Sequence, residues 1–127
     1  MDKGNFKRLF DDTCKKLDEL LFKKQKEYAT EEDVLHNFKN AGTMQGISQV
    51  AALSGMMAKH TISIYDMIRS RENGKNFGLD KWDEKILDHI NYLIILRAML
   101  YENVQEYRRR PDLCETDAWD ESLADNG

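Results

Sequence analysis

Apolar residues recur at intervals of three and four over most of the chain, and the pattern breaks at only a few places. Phe6, Leu9, Phe10, Cys14, Leu17, Leu20 and Leu21 keep to one side of a helical wheel, while Asp11, Asp12, Lys15, Lys16 and Asp18 fill the other. This predicts a first helix over 5–28. Lys23, Lys24 and Lys26 near its end suit the negative pole of the helix dipole. Thr30 followed by Glu31, Glu32 and Asp33 reads as an N-cap with an acidic first turn, and it predicts a second, shorter helix that buries Val34, Leu35 and Phe38. Gly42 and Gly46 interrupt that pattern and predict a loop. Ser48 then caps a third helix, expected over 48–68, with Val50, Leu53, Met57, Thr61, Ile64 and Ile68 on its face. Its small residues, Ala51, Ala52, Ser54, Gly55 and Ala58, would let another helix come close. A polar loop with Asn73-Gly74 and Asn76-Phe77-Gly78 leads to Asp80, which heads the last helix, expected to end at Arg108 to Arg110. Its stretch 86–100 is apolar almost all round, as in a helix surrounded on most sides, at the centre of a bundle or along the seam of a dimer.

The expected fold is therefore all-α: a four- to five-helix bundle over 1–110 with a central apolar C-terminal helix. Pro111, the one proline, opens an acidic tail over 111–127 that is expected to be mobile, with Trp119 as its one large anchor. The chain has 127 residues, enough for one domain with a modest core. A core of that size is often completed by a second copy, so a homo-oligomer is expected, a dimer first.

Charged residues are 33 % of the chain, and the longest apolar run stops at Arg97, far short of the roughly 20 residues a membrane span needs. The first residues lack the apolar stretch of a secretory signal. Cys14 on a helix stripe and Cys114 in the acidic tail read as two reduced thiols. Together these predict a cytoplasmic protein with no membrane partner. A net charge of −4 argues against direct nucleic-acid binding. It leaves nucleotides open, because a metal ion can bridge carboxylates to phosphates.

Candidate chemistry lies in polar residues where the pattern wants apolar ones. Glu84, Asp88 and Asn91 fall at i, i+4 and i+7 of the last helix, on one face, among Leu87, Ile90, Tyr92 and Leu93. A carboxylate in such a setting needs a partner. Two readings stand: a buried ion pair of Asp88 with Lys59 or Arg97, or a divalent metal site completed from a second helix. Glu27, Glu31, Asp33 and Asn37 could supply the facing groups, although acidic residues in a first turn are also ordinary dipole partners. Lys59 could pair with Asp88, meet a phosphate, or face solvent. His36, His60 and His89 lack a zinc spacing, there is no P-loop or dinucleotide fingerprint, and no serine has an evident base partner.

The trio Lys26-Glu27-Tyr28, the mid-chain Lys59, and the run from Glu84 through Asp88-His89-Ile90-Asn91-Tyr92-Leu93 resemble a phage-associated family, nucleotide modification associated domain 1. The resemblance covers about 24–101. That family is similar to the all-α nucleoside triphosphate pyrophosphatases, the group of MazG and the dimeric dUTPases. The resemblance implies a helical bundle that dimerises or tetramerises and holds Mg²⁺ by carboxylates of two helices. Water would attack between the α and β phosphates of a (deoxy)nucleoside triphosphate, releasing pyrophosphate. By position, Glu84 and Asp88 would be metal ligands, and Glu27 and Asp33 would complete the metal set or act as general base. Asn91 would orient a ligand, with Asn37 as a further binding residue, and Lys59 would meet phosphate charge. The E-x-x-E and E-x-x-D spacings of the pyrophosphatases occur nowhere in the chain. Two alternatives therefore stay open: binding without hydrolysis, and a non-enzymatic phage protein that inhibits a host protein through its acidic surface.

Overall fold

A computed structural model describes residues 1–28 and 33–109, with side chains for 1–23 and 33–104. It contains α1 (Lys3–Tyr28), α2 (His36–Gln45), α3 (Gln49–Glu72) and α4 (Leu79–Arg109), and no strand among the described residues. The chain is an all-α bundle, as the periodicity predicts. The acidic tail, with Cys114 and Trp119, lies outside the described residues, as does Arg110.

Ser48 caps α3 as expected: its hydroxyl accepts the Ala51 N–H at 3.1 Å. The start of α2 differs from expectation. The helix begins at His36, and Asp33 lies outside it, accepting the Leu35 N–H at 2.9 Å. Asp33 thus acts as a local turn former rather than as a first-turn residue. Leu35 is buried but Val34 is exposed. Gly42 does not break α2 either; only Gly46 ends it, in the left-handed region at φ 68°. The N–H of Gly46 bonds the Thr43 carbonyl and the N–H of Ile47 bonds that of Gly42, a Schellman closure. Gly42 is instead the close contact between α2 and the start of α3. A Cβ there would lie 2.7 Å from the Ile47 carbonyl oxygen.

Leu35, Leu53 and Met99 form the buried core, joined by Phe38, Val50, Met57, Tyr92, Ile95 and Leu96. It ties α2 and α3 to the second half of α4. The other half of α4 meets α1, where Lys16 reaches Asp83 at 3.4 Å. Beyond the core, Lys39 bonds both Asp33 and Glu102, each at 2.7 Å. These two points fix the direction of α1. Glu102 lies about 28 Å along α4 from Asp83, and α1 rises about 18 Å from Lys16 to Tyr28. The five steps from Tyr28 to Asp33 span at most about 18 Å. The chain can close only if α1 runs in the same sense as α4.

With α1 in this direction, its apolar stripe is not buried along its whole length. Thr13, Leu17, Leu20 and Leu21 are half-buried, but residues 1–12 are exposed throughout, and Cys14 is exposed too. The first three turns project past Leu79, where α4 begins. Nor is α4 enclosed by its own chain: Ile86, Leu93, Ile94, Leu100 and Tyr101 remain exposed.

Gly42→Ala should cost about 1–3 kcal/mol, because the neighbouring atoms are backbone and cannot swing aside; urea unfolding reads this, and an unchanged midpoint contradicts it. Asp33 gives a pH-dependent expectation. The Lys39 hydrogen bond, first among several causes, holds its carboxyl below the usual carboxylate range. A lowered folded pKa stabilises above the unfolded value, and that stability is lost as pH falls through the lowered one. Lys39 is 40 % and Asp33 31 % exposed, so Lys39→Met should cost only roughly 0.5–1 kcal/mol at neutral pH. The part of that difference due to Asp33 should vanish in acid once Asp33 is protonated in both proteins.

Candidate functional site

Helix α3 runs back along α4, and His60 meets Tyr92 with ring centroids 4.9 Å apart at an interplanar angle of 53°. Beside this pair lies a cavity of about 510 Å³, lined by Gln45, Ala52, Gly55, Met56, Lys59, His60 and Tyr92. That volume falls within the range of small-molecule sites. The small residues of α3, expected to admit another helix, divide into two sets. Ala52 is buried, whereas Ala51, Ser54, Gly55 and Ala58 are exposed, and a Cβ on Gly55 would meet nothing within 4 Å. Gly55 leaves room at the cavity instead of seating a helix.

Asn91 follows from the same α3–α4 pairing. It is 5 % exposed, the one buried polar side chain among the described residues, and neither Oδ1 nor Nδ2 has a hydrogen-bond partner. His89 Nδ1 and Gln49 Oε1 are likewise buried without a partner. An amide buried in this way costs free energy that a ligand group or water could return. Asn91 immediately precedes Tyr92, the α4 wall of the cavity.

The other predicted site residues separate. Asp88 is half-buried, one turn before Tyr92 on the same side of α4. Glu84, expected inside, is exposed one turn nearer the start of α4. Lys59 is exposed at the cavity rim. Asn37 is exposed near the start of α2. Asp33 belongs to the Lys39 clamp, and Glu102, its neighbour there, is about 21 Å along α4 from Asp88. Asp33 therefore does not converge with Glu84 and Asp88. The backbone of Glu27 is one residue from the end of α1, and its side chain lies outside the described set. Among the described residues no three His, Cys, Asp or Glu side chains come together as a metal cage.

The chemistry of what remains suits a divalent ion only in one form. Mg²⁺ is commonly bound by one or two carboxylates, with waters and substrate phosphates filling its octahedron. Glu84 and Asp88, on successive turns of one helix, match that donor set, and the orphaned Asn91 amide lies on the next turn. Comparison with family models, with curated proteins and with solved structures finds no match to this chain. No helix among the described residues is long and apolar enough to cross a membrane.

His60, Gln45 and Gly55 were not predicted as cavity residues. Sequence spacing along α3 gives no sign of which side faces Tyr92, and only the antiparallel pairing does. Asn91 was legible as a polar residue in an apolar run. Asn91→Leu keeps the branched outline of the side chain and removes both unpartnered atoms. It should raise stability by about 1–3 kcal/mol without ligand. Urea unfolding of the free protein measures this, and a lower midpoint would mean the amide has a partner.

Proposed function

We propose that the protein binds a nucleoside phosphate in the α3–α4 cavity and, with Mg²⁺, hydrolyses a (deoxy)nucleoside triphosphate to the monophosphate and pyrophosphate. The observation that carries this reading is the Asn91 amide, buried with both polar atoms unpartnered, one residue before Tyr92 in the wall of a cavity of ligand size. Such an amide offers both a donor and an acceptor, which suits a base edge or a sugar hydroxyl. Tyr92 and His60 form an aromatic wall on which a flat ring can rest. Lys59 at the rim supplies the cation for phosphate charge.

Glu84 and Asp88 would hold the Mg²⁺, which when bound neutralises phosphate charge and polarises the phosphorus centre. Lys59 would add electrostatic stabilisation as charge builds on the departing oxygen. Asn91 would fix the orientation of the nucleotide and so limit which phosphate water can reach. The family resemblance of 24–101 supports the same reaction class. It also supports a phage or prophage origin, a site in the host cytoplasm, and a homodimeric assembly.

The test is a panel of nucleoside triphosphates with Mg²⁺ or Mn²⁺, scored for pyrophosphate release. Wild type is expected to release pyrophosphate from at least one member, and Asp88→Ala to reduce that release at least a hundredfold. Equal behaviour of the two proteins across the panel overturns the reading.

A further inference from the structure

We infer that a second copy of this chain covers the exposed strip of α4, and that each copy lays the projecting start of its α1 along the other's strip. This exchange stands whether or not nucleotide binds. Ile86, Leu93 and Leu100 recur every seven residues, with Ile94 and Tyr101 beside them, and all five are exposed. A seven-residue recurrence of apolar side chains marks a helix face that meets another helix along its length. The start of the chain's own α1 does not reach this face: the helix is held to α4 through Lys16 and Asp83, and its direction carries residues 3–12 beyond the start of α4.

Those residues carry the matching surface. Phe6 is 63 % exposed, Phe10 56 % and Leu9 50 %, on a helical arm whose residues 1–12 are exposed throughout. The arm is about 15 Å long and the strip about 21 Å, so one fits along the other. Three aromatic and five aliphatic side chains, each about half exposed, offer on the order of 700 Å² per copy, close to the roughly 800 Å² per partner of a standard stable interface. Two complementary surfaces on one chain, each unable to reach the other within that chain, fit a two-fold exchange. Both arms are then satisfied by the same symmetry operation.

The experiment uses the full chain and two double variants at exposed positions, Phe6→Glu with Phe10→Glu on the arm, and Leu93→Glu with Leu100→Glu on the strip. Circular dichroism verifies helix content and sedimentation equilibrium gives the mass. Wild type is expected at twice 14.9 kDa, and each variant at 14.9 kDa with its helices intact. Mixing the two variants is then expected to restore part of the dimer. The good arm of the strip variant can still lie on the good strip of the arm variant. Strip-on-strip pairing leaves the arm variant dimeric on its own, arm-on-arm pairing leaves the strip variant dimeric, and either overturns the inference, as does a mixture of two monomeric variants that stays monomeric. So does a wild-type chain that sediments as a monomer, with or without affinity for lipid vesicles, or a dimer that survives either set of substitutions.

Discussion

Leu53 and Met99 are the two large side chains that α3 and α4 close over completely, and Leu35 joins them from the turn before α2. This contact sets the position of nearly everything around it. Met99 and Tyr92 are seven residues apart and share a face of α4, so the side that buries Met99 also turns Tyr92 toward α3. Tyr92 then meets His60, and the space beside them becomes the cavity. The same docking buries Asn91, the residue just before Tyr92. Core and candidate site are two consequences of one helix pairing.

The arrangement leaves the bundle thinly held. Few apolar side chains are fully buried, while large ones on α1, α3 and α4 face outward. Each half-exposed Phe or Leu forgoes roughly half of the 1.5–3 kcal/mol that full burial would contribute. The unpartnered Asn91 amide and the room left at Gly55 also cost stability in the free chain. These features are costs in an isolated chain and useful in one that takes a ligand between α3 and α4 and a second copy along α4.

The periodicity of three and four was enough to read the helices, because it reflects which residues can share a face. Ser48 was legible as a cap because capping is a local bond. What eluded the sequence depended on distant neighbours. Gly42 looked like a breaker, yet it is glycine because the backbone after Gly46 passes close to it. Asp33 looked like a first-turn residue, whereas it turns the chain outside α2 and is held by Lys39; Thr30, Glu31 and Glu32 lie outside the described residues. The stripe on α1 was correctly apolar, but a pattern of faces cannot say what covers them. Within the site, Asn91 stood out against its apolar neighbours. Glu84 looked equally internal, yet it is exposed. The cavity residues of α3 had no signal of their own until α4 was set against them.

If the Asn91 amide is kept buried and unpartnered in order to receive a ligand, it must respond when that ligand arrives. Nuclear magnetic resonance of nitrogen-labelled protein, titrated with a nucleoside triphosphate and Mg²⁺, observes this at the residue itself. The side-chain amide signals of Asn91 should move together with the backbone signals of Gly55 and Lys59, and saturate with them. Asn91 signals that stay in place while the nucleotide binds elsewhere, or a spectrum that no nucleotide changes, would refute a ligand-receiving role for the amide.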